Sequence, residues 1–155
     1  MATEAVATQP GTWPMRPTLP AELSRRLVDA AVAAATDMSV PVTVVIVDES
    51  GVLRELCRMD GAALVSVEAA KGKAYAAVAT GMPPDEFYEA VETDGAAVAW
   101  FASHPGLALI AGGIPVIAHG RVAGAIGVAG AMTGAEDRRI AETAVQRALP
   151  QAGRR

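Results

Sequence analysis

Residues Gly112 to Leu149 read GGIPVIAHGRVAGAIGVAGAMTGAEDRRIAETAVQRAL, and their order decides the fold. An apolar run from Ile114 to Ala118 leads into the pair His119-Gly120, a second run from Arg121 to Ala129, and then a segment with helical spacing. A two-residue turn between strands needs residues that tolerate positive φ, and Gly120 supplies one. The stretch is therefore a β-hairpin feeding a helix. Thr133 and Glu136 form a Thr-x-x-Glu capping box with Asp137 beside them. Ile140, Ala141, Ala144, Val145 and Ala148 share one stripe, so the helix begins near Gly134. In the second strand Gly124, Gly127 and Gly130 recur every third residue. Glycine inside a strand marks a bulge or a close backbone approach, so something packs near this strand. The series is not Gly-x-Gly-x-x-Gly, and no acidic residue follows where a dinucleotide site needs one. Two carboxylates at the helix start already satisfy its dipole. A Rossmann site is rejected on these grounds.

Working back from the hairpin, Gly106 to Ile110 reads as a brief strand and Asp85 to Phe101 as a third, shorter helix. Ala63 to Thr80 is an alanine-rich helix that stops at Gly81-Met82-Pro83-Pro84. Its residues Ser66, Ala69, Lys73 and Ala77, with Ala62 just before it, fall on one face. A lysine among small residues either snorkels outward or meets an anionic partner. Earlier still, VTVVIVD after Pro41 is a buried strand, Glu49-Ser50-Gly51 a turn, and Val52 to Arg58 a strand that pairs back. Pro20 to Met38 is an amphipathic helix. Residues 1–19 form a proline-rich arm, 20–150 one domain, and 151–155 a tail. The arm is either loose or docks Trp13 and Met15 on a neighbouring subunit. The order α, ββ, α, α, βββ, α predicts an antiparallel sheet with helices packed on its faces.

Composition narrows the function. The chain has 155 residues, is 52% hydrophobic and only 4% aromatic, and carries a formal charge of −4. An acidic chain with few stacking platforms is a poor nucleic-acid binder. Cys57 is the only cysteine, which excludes an internal disulfide and a Cys-rich zinc site. No basic leader and no run of 18 apolar residues is present, so a cytoplasmic location off the membrane is expected. Small apolar residues in an acidic chain of this size also predict a homo-oligomer.

Arg58-Met59-Asp60-Gly61-Ala62, Ser66, Lys73-Ala74, Gly112-Gly113-Ile114-Pro115, Gly124 to Val128 and Glu136-Asp137 resemble, in order and spacing, the GlcG/HbpS-like family. This is the haem-degrading domain, found also as the C-terminal domain of PduO-type adenosyltransferases. The resemblance spans about residues 20 to 149. It implies an α/β (α+β) fold with profilin-like α/β/α layers around a five-stranded antiparallel sheet, and assembly from dimer to octamer. It also implies an anionic or tetrapyrrole-like ligand. The chain departs from the family pattern at Ala129, where a serine is frequent, and at Ala76, where a threonine often follows Lys73-Ala74.

Arg58, Asp60 and Lys73 are the leading constellation, because the two cations could hold a carboxylate while Asp60 orients one of them. The competing reading is structural: Arg58 caps a strand end, Asp60 caps the following helix and Lys73 is solvated. Of the two histidines, His104 in a loop is the better acid/base or axial-ligand candidate, whereas His119 sits in a turn. No metal-ligand cluster, Ser-x-x-Lys pair or Gly-x-Ser-x-Gly elbow occurs. The expected ligand set is Arg58, Lys73, Gly112, Gly113 and Asp137, between the second helix and the Gly112-Gly113 turn; no metal ion and no required cofactor are expected, with haem as the candidate ligand. The rival reading is a cofactor-independent isomerase, cyclase or lyase acting on a carboxylate- or enol-bearing metabolite of a specialised biosynthetic pathway. Lys73, Asp60 and His104 would be its catalytic groups.

Overall fold

Thr43–Asp48 (β1) carries an unbroken apolar run from Val44 to Val47 because both of its faces are covered, and it lies inside a four-stranded antiparallel sheet. In this computed structural model, which describes residues 14–149, the other strands are Leu53–Arg58 (β2), Gly113–Ala118 (β3) and Arg121–Ala129 (β4), ordered β2-β1-β4-β3. The helices are Ala21–Asp37 (α1), Val65–Thr80 (α2), Pro84–Val91 (α3), Gly95–Ser103 (α4) and Gly134–Ala148 (α5).

Side chains alternate across the sheet and divide the core in two. Val44, Ile46, Ile126 and Val128 face α1 and α5, together with Leu27, Ala31, Ile140 and Ala144. Val45, Val47, Ala125 and Ala129 face α2 through Ala70, Ala74 and Ala77. The three-layer α/β/α arrangement follows from that alternation.

The hairpin forms as expected, with Ala118 opposite Arg121 and both turn residues in the left-handed region: His119 at φ 50° and Gly120 at φ 72°. Two positive φ values give the twist that adjacent strands need. The register shifts between Val116 and Ile117, leaving Ala123 of β4 as the extra residue. At Gly127 a Cβ would lie 2.1 Å from the Ala70 carbonyl oxygen and 2.7 Å from the Ala74 nitrogen. The element that packs near the glycine-rich strand is thus the backbone of α2.

Two expectations are corrected. Gly106 to Ile110 is not a strand, so the sheet has four strands rather than five. Gly106 turns at φ 77°, and Ala108 then donates its N–H to the Gly72 carbonyl of α2 at 3.3 Å, which directs the segment onto a helix instead of the sheet edge. The single helix read over Asp85 to Phe101 is two helices. Asp94 interrupts it by accepting from the Ala96 and Ala97 amides as the N-cap of α4.

Of the N-terminal arm, Trp13 lies outside the described residues. Residues 14–20 run along the domain: Leu19 is buried in the core, and Arg121 donates to the Met15 carbonyl. Met15 itself is exposed.

Gly127→Val is expected to destabilise the fold by about 3 kcal/mol or more, because helix and strand backbones cannot both keep their positions around the added atoms. Gly95→Ala, where a Cβ would meet nothing within 4 Å, is the comparison and should be neutral or slightly stabilising. Urea unfolding of both variants checks the pair.

Candidate functional site

The alanine-rich face of α2 lets that helix lie flush on β4 and carries Lys73 into the interior. From the opposite face of the sheet, α5 begins at the Thr133–Glu136 capping box, which is formed in both directions. That start places Asp137 one turn in and pointing inward. Lys73 Nζ donates to Asp137 Oδ2 at 2.7 Å and to the Val128 carbonyl at 3.0 Å. The second carboxylate oxygen of Asp137 accepts from the Ala131 amide at 3.0 Å. The two side chains are 3% and 6% exposed, so Lys73 neither snorkels nor is solvated.

Gly112 is the condition for this pair. A Cβ there would sit 2.9 Å from Lys73 Nζ and 2.5 Å from the Val128 oxygen, and its φ of 122° disfavours any side chain. At Gly113 a Cβ would fall 2.4 Å from the Lys73 carbonyl.

Lys73 and Asp137 lie at the deep end of an open cleft of about 810 Å³. Val65, Ser66 and Ala69 of α2 form one wall, Tyr88 and Glu89 of α3 another, and Ile110 and Met132 stand at the rim. Ser66 is fixed from behind: its hydroxyl donates to the Ala63 carbonyl, so the Thr43 hydroxyl 2.7 Å away is the donor between the two. The α3 wall is tied to α5 by Arg138, which donates to Asp85 at 2.6 Å, to Glu142 at 2.8 Å and to Glu86. These bonds, the one to Glu142 first, push the guanidinium pKa further above the usual arginine range. Asp85 lines the cleft, and its Oδ1 has no hydrogen-bond partner among the described residues.

Of the residues singled out in the sequence, Lys73, Asp137 and Gly112 come together, and Gly113 packs under the same helix. Arg58 and Asp60 do not line the cleft. Arg58 is exposed and forks Nε and Nη2 onto the Ala62 carbonyl at 3.0 and 2.6 Å, which staples the β2–α2 loop. Asp60 is also exposed; the N-cap of α2 is Leu64 and has no side-chain cap bond. His104 ends α4 and lines a separate cavity, and His119 is exposed in its turn. Asp85, Met132 and Arg138 were not foreseen. Pro83-Pro84 before Asp85-Glu86 is a helix-start signal that could have drawn attention to the acidic pair, but nothing local points Arg138 at it. Among the described residues no group of three or more His, Cys, Asp or Glu could hold a metal ion, and no helix is long and apolar enough to cross a membrane.

The fold is an α/β/α domain with an open cleft, and comparison with known proteins makes the class specific. The family model described as "Haem degrading protein HbpS-like" matches residues 19–146. The chain belongs to this HbpS-like family. It superposes on a double mutant of HbpS from Streptomyces reticuli with a TM-score of 0.82 at 32% identity, over 94% of this chain and 97% of that one. A PduOC:haem complex superposes with a TM-score of 0.76 at 31% identity, over 85% of this chain and 95% of that one. In sequence the chain is 37% identical over 122 residues to the corrinoid adenosyltransferase PduO of Citrobacter freundii, covering 77% of this chain and only 36% of that protein.

Lys73→Met is expected to lower stability by about 3–5 kcal/mol, because it leaves the Asp137 carboxylate buried without its cation. Adding Asp137→Leu should restore part of that loss. The four-way cycle of unfolding free energies checks the coupling, which additive losses would disprove.

Proposed function

We propose that the protein binds a haem-like tetrapyrrole in the cleft floored by Lys73 and Asp137. The observation that carries this reading is the concavity itself: about 810 Å³, with an apolar rim at which Val65, Ile110 and Met132 are 75%, 54% and 95% exposed. Exposed apolar surface around a cleft is unfavourable until a ligand or another chain covers it. The apolar face of a flat macrocycle suits such walls. The likeness to HbpS and to the PduOC:haem complex supports the same ligand class. Tyr88 and Met132 supply a phenol and a thioether on the walls, both side-chain types that ligate haem iron. The described lining holds no His or Cys. Bound haem would supply a redox-active iron.

A simple organic anion is supported less. The Lys73 charge is already met by Asp137, and Arg58 stands off the cleft. An ammonium has three donors and two are used, so one N–H of Lys73 is left for a ligand oxygen. The proton-transfer enzyme keeps Lys73 and Asp137 at the cleft, with Asp60 and His104 elsewhere. Self-association belongs to the same reading, since a second copy could cover the exposed rim.

Titration with hemin should give a saturable Soret shift. Ala69→Glu, which puts an unpaired charge on the α2 wall, should weaken it by about tenfold or more, while His104→Ala leaves the spectrum unchanged. Absence of any shift, or loss in His104→Ala with Ala69→Glu unaffected, would remove the tetrapyrrole from this cleft. For the assembly, sedimentation velocity should show an oligomer that Met132→Glu dissociates; a monomer at micromolar concentration in the unmutated chain refutes self-association.

A further inference from the structure

Tyr75, Phe87, Trp100 and Phe101 are four of the chain's six Phe, Tyr and Trp residues, and with His104 they line a second cavity of about 410 Å³. It shares no lining residue with the Lys73 cleft. The rings of Tyr75 and His104 are within 18° of parallel, with centroids 6.3 Å apart. Trp100 lies 5.5 Å from His104 and 5.0 Å from Phe101, and Phe101 meets Phe87 edge-on at 5.0 Å. These rings do not close into a core. Trp100 is 60% exposed, although an indole is among the side chains with most to gain from burial.

The segment that lines the cavity carries charge of one sign. From Ala74 to Gly120 the chain has no Lys or Arg, but it has Asp85, Glu86, Glu89, Glu92 and Asp94. Every residue lining the cavity comes from this interval. Asp85 and Glu86 are engaged by Arg138, and Asp94 caps α4. Glu89, Glu92 and Asp94 have no cationic partner among the described residues. Aromatic faces carry partial negative charge, so clustered rings in a carboxylate-rich segment attract cations and repel anions.

We propose that this aromatic cavity binds a small organic cation, an alkylated ammonium group on a molecule of metabolite size. The ring faces around Trp100 take the cationic head, and the unpaired carboxylates of α3 and the α3–α4 turn supply the long-range attraction. The volume falls within the range of small-molecule sites. The cavity is independent of the tetrapyrrole reading and stands whether or not haem binds the cleft.

Calorimetry on the full chain with choline, and with its uncharged isostere 3,3-dimethylbutan-1-ol, tests the assignment. Choline is expected to bind, with the alcohol weaker by about tenfold or more, since the two differ chiefly in the charge that the rings and carboxylates recognise. Trp100→Ala changes a mostly exposed side chain and should fold with unaltered circular dichroism, yet weaken choline by a similar factor, while Trp100→Phe keeps most of the affinity. Equal binding of choline and the alcohol, choline binding untouched by Trp100→Ala, or no heat with choline at millimolar concentration would each overturn the proposal.

Discussion

The buried ammonium of Lys73, held between the Asp137 carboxylate and the Val128 carbonyl, is the interaction on which the rest of the site depends. Lys73 belongs to the helix on one face of the sheet and Asp137 to a helix on the other, so the pair joins the two outer layers around the end of β4. Two charges removed from water repay their desolvation only when the geometry is good and the remaining polar groups are satisfied. The Ala131 amide supplies that satisfaction on the carboxylate side. Gly112 supplies the space, since any side chain there would collide with the pair. The capping box fixes where α5 starts and therefore where Asp137 points.

Close packing of small residues is the second constraint. Gly127 lets the backbone of α2 rest on β4, and Ala70, Ala74 and Ala77 complete the seam without bulky side chains. A core built this way has little room for rings. Four of the six aromatic residues, Tyr75, Phe87, Trp100 and Phe101, gather instead on α2, α3 and α4 around the second cavity, and Trp100 remains substantially in water.

The cleft differs from a simple anion grip in a way that charge placement explains. A free lysine at the bottom of a concavity would attract carboxylates strongly, but one already neutralised by aspartate contributes a single remaining donor. What the cleft chiefly presents is apolar surface, from Val65 and Ala69 on one side to Ile110 and Met132 on the other. Arg138 keeps α3 against α5 through two carboxylates, those of Asp85 and Glu86, and in doing so holds the wall that carries Tyr88 and Glu89.

The hairpin at Ile114–Ala129, the capping box at Thr133, the buried strand after Pro41 and the helix ending at Gly81 were legible from the chain alone. Each is set by neighbours a few residues apart: turn geometry, helix-end hydrogen bonding and side-chain periodicity. Lys73 and Asp137 could be read as candidates, but their union spans 64 residues, and no local rule couples them. Arg58 looked equivalent to Lys73 in residue type. Only the fold turned one onto a loop carbonyl and the other into the interior. Likewise Gly106 to Ile110 has a strand-like composition, and it became a segment against α2 because a carbonyl at Gly72 was there to receive it. Backbone preferences are local and are written in the sequence; the partner of a buried charge or of an unpaired amide depends on which surfaces the packed layers bring within reach.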